Sequence, residues 1–197
     1  MTTWTCNGSI AAFALLTLSA CEGGQGAALF EGLPVPSIKG QQVKPLSQAN
    51  LADGAVTLVA PRGFCIDSKS VKKQFALMAR CDVLGAPQAA GDAPLGFITV
   101  SVLPSTTDGA IPAMQDLAFA NGLTNATDPK TSKGHLVFRG EGPAPIDGVS
   151  ANHWRGAARI GGQIISVALY GPAGGRAVSG EGRSIVSAVM SRSQGGS

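Results

Sequence analysis

Apolar and polar residues alternate along several stretches after residue 55, and each stretch predicts a β-strand. The clearest is residues 96–103, where Ile98, Val100 and Val102 face one way and the residues between them face the other. Other strands are predicted at residues 56–60, 64–67, 75–81, 135–139, 149–158 and 163–170. Gly161-Gly162 suits the positive φ angles of a tight turn, so the last two strands are predicted to form a hairpin.

Two stretches have helical periodicity instead. The first follows Asp108, a candidate N-cap, and carries an apolar stripe on Ala110, Met114, Leu117 and Ala118 that ends at Asn121. The second follows Ser179, another candidate N-cap, and carries its stripe on Ile185, Val186, Val189 and Met190. Two such helices cannot enclose the strands. We therefore predict an α+β fold in which both helices cover one face of an antiparallel β-sheet of five to six strands.

The remaining segments are polar or rich in glycine and proline. Residues 21–50 lack sustained periodicity, and we interpret them as a flexible tether. They precede a single globular α+β domain at residues 51–193 and a short tail at 194–197. Residues 124–133 are interpreted as a polar loop within the domain.

The N-terminal residues carry a different pattern. Residues 10–20 form an apolar run that is shorter than the roughly 20 residues of a membrane-spanning helix but suits a secretory signal. We interpret residues 1–20 as a signal peptide. The usual basic start is missing, since the first Lys or Arg is Lys39, which indicates an atypical signal or an upstream start. The alternatives are an apolar N-terminal helix of a soluble protein, or cleavage at another site.

The end of this run, Leu18-Ser19-Ala20-Cys21, resembles the lipobox of bacterial lipoproteins. In that class the cysteine is acylated and becomes the new N-terminus. The resemblance implies that Cys21 carries fatty acyl chains, palmitate among them, which anchor the protein to a membrane of the cell envelope. The protein would then face the periplasm, at the outer rather than the inner membrane, as is commonest in the class.

Composition and charge matter mainly for what they exclude. The 197 residues include 27 glycines and 12 prolines but only 5% aromatic residues, which agrees with short elements joined by many turns. The formal net charge of +3 is spread from Lys39 to Arg192 without a block. We therefore expect no nucleic-acid partner.

Two of the four cysteines remain after the signal and the lipid site are set aside. They are Cys65 and Cys81, and in an oxidising periplasm they are predicted to form a disulfide. A hairpin centred near Lys73 would place them opposite each other.

Other roles for these two thiols are a redox-active pair or metal ligands. Redox pairs favour Cys-x-x-Cys spacing, and a zinc site would need two more ligands, for which the chain offers His135 and His153. We predict no metal and no cofactor.

The order of elements gives a second resemblance. A Pro-Arg-Gly-Phe turn at 61–64, a Phe-Ile-Thr-Val-Ser-Val strand before a helix, a β-meander through Trp154 and Tyr170, and a closing helix look like the α/β/α sandwich of PsbP-like domains over about residues 54–193. Members of that family are mostly non-catalytic partners of larger assemblies. The resemblance implies a binding role with a protein partner in the envelope. Segments 63–67 and 80–81 also resemble uncharacterised bacterial cell-envelope proteins, a likeness that implies no known chemistry.

His153-Trp154-Arg155 is the most chemically varied tripeptide. In a strand, His153 and Arg155 share one face and Trp154 lies on the other, where it is predicted to be buried. With Arg139 from another strand they could form a cluster on the open face of the sheet that holds a carboxylate or a partner's acidic loop. The alternative is a solvated pair without a ligand.

Nothing in the motifs favours catalysis. A nucleophile, a base and an orienting group can be assembled on paper from Ser101 or Cys65, His153 or His135, and Asp67 or Asp147. No nucleophile elbow, zinc-protease helix, phosphate loop or dinucleotide fingerprint accompanies them. We predict a lipid-anchored, non-catalytic binding or assembly module. The alternatives are a structural envelope lipoprotein with no specific ligand, and a periplasmic hydrolase or redox enzyme.

Overall fold

The computed structural model describes residues 44–103 and 110–196. The predicted signal peptide, Cys21 and Asp108 lie outside these residues. In chain order the elements are β1 (Pro45–Leu46), β2 (Gln48–Leu51), β3 (Val56–Val59), β4 (Phe64–Asp67), β5 (Phe75–Arg80), β6 (Phe97–Leu103), α1 (Met114–Ala120), β7 (Asn125–Ser132), β8 (His135–Glu141), β9 (Asn152–Ile160), β10 (Gln163–Tyr170), α2 (Gly180–Arg192) and β11 (Gln194–Gly195).

Eight of these strands form one antiparallel sheet in the order β1-β4-β5-β6-β10-β9-β8-β7. The predicted α+β class, with an antiparallel sheet and two helices, is confirmed. The predicted count of five to six strands is wrong, because β1 falls in the predicted tether and β7 in the predicted polar loop. Both are edge strands, and an edge strand needs no continuous apolar side.

A second sheet contains three short strands in the order β11-β3-β2. Its central strand β3 was predicted, but β2 lies in the predicted tether and β11 in the predicted tail. The described elements run from Pro45 to Gly195. Ala49 and Leu51 of β2 are buried in the main core together with Val56 and Leu58 of β3, which explains why these short strands are ordered.

The two helices lie on opposite faces of the large sheet, which corrects the expectation that both cover one face. Helix α2 buries Val186, Val189 and Met190 in the main core, together with the three-stranded sheet. Helix α1 buries Leu117 against Leu136, Phe138 and Ala157. Strand β8 explains the difference, because its buried residues Leu136, Val137 and Phe138 are consecutive and thus present apolar side chains to both faces.

Helix α2 approaches the sheet closely at a glycine. A Cβ atom added to Gly156 would lie 2.7 Å from Val186 Cγ1 and 2.8 Å from Met190 Cε, so a larger residue would push the helix away. The predicted N-cap is confirmed, since the Ser179 hydroxyl accepts a hydrogen bond from the Glu181 N–H over 3.3 Å. Helix α1 is shorter than predicted, and Ala110 of the predicted stripe precedes it.

The Cys65–Cys81 disulfide is confirmed and links the β4–β5 hairpin, with 4.9 Å between the Cα atoms. The register differs from the prediction, because Cys65 pairs with Ala79 and the Cys81 N–H bonds to the Gly63 carbonyl. This register pairs Ile66 with Met78, and both side chains are fully buried. Core packing therefore sets the pairing, and the disulfide joins a diagonal pair.

The β9–β10 hairpin is also confirmed. Gly161 and Gly162 form its turn with φ angles of 58° and 75°, and Gln163 pairs with Ile160.

Candidate functional site

The predicted site tripeptide lies at the start of β9, and His153 is part of the protein interior. None of its surface is exposed. Its Nδ1 lies 2.8 Å from the Ala151 carbonyl oxygen, and its Nε2 accepts a hydrogen bond from Arg155 Nε over 2.9 Å. These partners assign the proton to Nδ1. Burial, together with the charge of Arg155, lowers the pKa of His153 to about 4, so the ring is neutral at pH 7.

Arg155 joins three elements through its guanidinium group. Besides its bond to His153, Nη1 donates to Asn121 Oδ1 over 2.6 Å at the end of α1, and Nη2 donates to the Tyr170 hydroxyl over 2.9 Å at the end of β10. The Tyr170 ring stands 4.7 Å from the His153 ring and 5.2 Å from the Phe97 ring. Each nitrogen of Arg155 thus has a partner inside the protein, and this network, which we call the Arg155 network, is internally satisfied.

Arg139 does not belong to this network, although the sequence suggested that it could. It pairs with Trp154 across β8 and β9, so it lies on the other face of the sheet, whereas Phe138 pairs with Arg155. A shift of one residue in the register exchanges the two faces of a strand, and the sequence does not fix that register. The prediction that Trp154 lies opposite His153 and Arg155 and is buried is confirmed.

A different group of basic side chains gathers on the α2 face of the sheet. An open cleft of about 360 Å³ lies between the β7–β8 hairpin and α2. Among the residues that the structure describes, its lining is mostly polar, carries positive charge and includes no carboxylate; it consists of Lys130, Ser132, Lys133, His135, Val137, Arg183, Ser184, Ser187 and Ser191. We call it the basic cleft.

A β-bulge in β7 orients the strand residues that line the basic cleft. The register shifts by one residue between Thr127 and Lys130, where Asp128 adopts a φ of 54°. After the bulge Lys130 pairs with Val137 and Ser132 pairs with His135. Without the extra residue, Pro129 and Thr131 would face α2 instead, so the bulge is what turns Lys130 and Ser132 toward the helix.

Arg183 supplies the helix side of the cleft. Its guanidinium carbon stands 4.9 Å from the centre of the Trp154 ring, a cation–π contact that holds the side chain across the sheet. Its Nε is buried and has no hydrogen-bond partner among the described residues. Because Arg183 lines the cleft and forms no ion pair with a described residue, its guanidinium group can attract an anion there.

The neighbouring histidine, His135, adds polar surface to the cleft. Partial burial, and then the charge of Lys133, lower the pKa of His135. The positive charge of the cleft therefore comes from Lys130, Lys133 and Arg183.

In a second cleft, near residues 88–94, the positive charge of an arginine is neutralised by carboxylates of the protein. There Arg176 donates to Glu181 Oε2 over 2.7 Å and to Asp92 Oδ1 over 3.0 Å. Both carboxylates raise the pKa of Arg176. This cation is already paired, whereas neither Lys130, Lys133 nor Arg183 forms an ion pair with any residue that the structure describes.

The candidate catalytic residues are dispersed. Cys65 is in the disulfide, and Ser101 pairs with Ser166 and Phe75 near the middle of the sheet. The hydrogen bonds of His153 go to Ala151 and Arg155. In residues 44–103 and 110–196 no group of three His, Cys, Asp or Glu side chains is arranged to hold a metal ion.

Comparisons with known proteins add no assignment, since neither a protein-family model nor a curated protein matches the chain. Within the described part of the chain, neither helix has the length and apolar character needed to cross a membrane.

Proposed function

We propose that this protein is a lipid-anchored envelope protein that acts as a non-catalytic binding module, and that the basic cleft takes an anionic group of its ligand or partner. The observation that carries the proposal is that Arg183, Lys130 and Lys133 line one cleft, while no carboxylate among the described residues lines it or pairs with them. Serine hydroxyls on α2 complete a site that can donate to the oxygens of a phosphate or a carboxylate.

The anchor is the second part of the proposal. The lipobox-like residues 18–21 support it, and so does the Cys65–Cys81 disulfide, because disulfides persist mainly in exported proteins. The absence of catalytic motifs from the sequence supports a binding role. The PsbP-like order of elements supports a protein partner in the envelope.

The cleft is tested by titrating the protein with inorganic phosphate and with acetate while amide shifts are recorded by NMR. We expect shifts of Lys133, Arg183 and Ser187 that saturate, and a loss of at least tenfold in affinity in Arg183→Met. Arg62→Met is the matched control, because Arg62 is exposed and lies outside the cleft. Equal affinities of the two variants would refute the assignment of the cleft.

The anchor is tested by the intact mass of the protein extracted from membranes. A mass of residues 21–197 plus acyl chains would support lipidation at Cys21. A protein anchored in this way that binds no anion would instead be a structural envelope lipoprotein.

A further inference from the structure

The two ends of the large sheet differ in charge. Because all its strands are antiparallel, one end of the sheet brings together the start of β1, the end of β4, the start of β5, the turn between β7 and β8 and the turn between β9 and β10. Every lysine among the described residues is exposed and lies at this end: Lys44, Lys69, Lys72, Lys73, Lys130 and Lys133. We call it the lysine end.

Few carboxylates among the residues that the structure describes offset this charge. Asp53 forms an ion pair with Lys73 over 2.6 Å, and Asp67 accepts a hydrogen bond from the Lys69 N–H over 2.9 Å. Asp128 lies farther back, at the bulge of β7.

Two arginines at the opposite end of the sheet are paired with acids. Arg80 bonds to Asp82, and Arg176 bonds to Asp92 and Glu181. The formal net charge of +3 therefore conceals a separation, with positive charge concentrated at the lysine end.

The chain also enters the domain at the lysine end. Lys44 precedes β1, whose first residue, Pro45, pairs with Asp67 at the end of β4. The residues between Cys21 and Lys44 belong to the predicted tether, residues 21–50. An anchor at Cys21 would thus hold the domain by its lysine end, which brings that end toward the bilayer.

We propose that the lysine end docks on an anionic phospholipid surface. The lysines stand on separate turns at one end of the sheet, an arrangement that fits many phosphates in a plane. Phe75, 36% exposed, begins β5 at the same end and suits contact with the boundary between headgroups and acyl chains. The orientation of the domain toward the bilayer rests on the lipid anchor of the proposed function. The electrostatic attraction between the lysines and anionic lipid does not.

Vesicle binding tests this with the chain of residues 21–197 carrying Cys21→Ser, which removes the acylation site. The core clusters draw only on residues 46–190, so this chain keeps the whole core. We expect sedimentation with vesicles of phosphatidylcholine and phosphatidylglycerol, none with phosphatidylcholine alone, and release at about 1 M salt.

Substitutions at the two ends of the sheet then locate the membrane-binding surface. Lys72→Gln should weaken binding about fivefold, and Lys44→Gln combined with Lys72→Gln about thirtyfold. Arg62→Gln, at the opposite end, should leave it unchanged. Equal binding to both kinds of vesicle, an equal effect of Arg62→Gln, or tighter binding to duplex DNA at the same salt concentration would overturn the proposal.

The two proposals fail separately, because Lys44 and Lys72 do not line the basic cleft. Arg183→Met tests the cleft with inorganic phosphate. If the unsubstituted protein binds vesicles but not phosphate, the proposal for the basic cleft fails and the proposal for the lysine end stands. If the protein binds phosphate but not vesicles, the proposed docking of the lysine end on phospholipid is refuted.

Discussion

Arg155 and Arg183 lie on opposite sides of β9 and make similar contacts with aromatic rings, but their surroundings differ. Arg155 stands 5.8 Å from the centre of the Tyr170 ring, and each of its nitrogens donates to a protein acceptor. Arg183 stands 4.9 Å from the centre of the Trp154 ring, and its buried Nε has no acceptor among the described residues. The comparison teaches that a charged residue becomes part of the scaffold when its hydrogen bonds are satisfied, and a candidate for ligand binding when they are not.

The largest expected effect comes from Arg155→Met. The substitution leaves His153 Nε2, Asn121 Oδ1 and the Tyr170 hydroxyl without their donor in a buried region. We expect the free energy of unfolding to fall by about 4 kcal/mol. Denaturant unfolding measures it. A loss below about 1 kcal/mol would mean that the Arg155 network does not hold α1 to the sheet.

Acid should weaken the same network. The pKa of His153 is 6.5 in the unfolded chain and about 4 in the folded protein, because burial and then Arg155 disfavour the charged ring. Between these values the unfolded chain binds more protons, so stability present above pH 6.5 is lost as the pH falls. We expect a loss of about 2 kcal/mol between pH 7 and pH 5.

The pH effect is best measured in His135→Gln, because burial and Lys133 lower the pKa of His135 as well and its titration acts in the same direction. A free energy of unfolding that is constant from pH 7 to pH 5 in this variant would contradict the buried, neutral state of His153.

A smaller effect is expected from Tyr170→Phe. The ring keeps its contacts with Phe97 and His153, but Arg155 Nη2 loses its acceptor. The cost should be about 1 kcal/mol. A double-mutant cycle with Arg155→Met measures the coupling, and a coupling energy near zero would remove Tyr170 from the network.

The smallest effect on stability is expected from Arg183→Met. The variant loses the contact with Trp154 but also removes a buried donor that has no acceptor, so the change should stay within about 0.5 kcal/mol. The same variant is expected to lose phosphate binding. A large loss of stability would place Arg183 in the scaffold and end the contrast with Arg155.

The sequence predicted best those elements whose signals are local. The Gly161-Gly162 turn, the Ser179 cap and the apolar stripe of α2 each lie within a few residues, and the structure confirms all three. Strand β7 was missed because its residues, Asn-Ala-Thr-Asp-Pro-Lys-Thr-Ser, are almost all exposed and carry Pro129 beside a bulge. This segment therefore lacks the alternation of apolar and polar residues that predicts a strand.

The basic cleft was missed for a different reason. Its residues range from Lys130 to Ser191 along the chain. They come together only because the bulge in β7 turns the side chains of Lys130 and Ser132 toward α2. One signal was present, since Arg183, Ser184, Ser187 and Ser191 form a polar stripe opposite the apolar stripe of α2. The lysine end was hidden too, because lysines that are scattered along the chain become neighbours only when antiparallel strands bring their turns together.

The small sheet ties the beginning of the domain to its last residues. Strand β3 pairs with β2 on one side and with β11 on the other, and the Gly196 N–H bonds to the Ala55 carbonyl over 2.9 Å. While the polypeptide is still being synthesised, one edge of β3 has no partner until residues 194 and 195 emerge. The three-stranded sheet can therefore form completely only after the rest of the domain has been synthesised, which places its last pairing late in folding during translation.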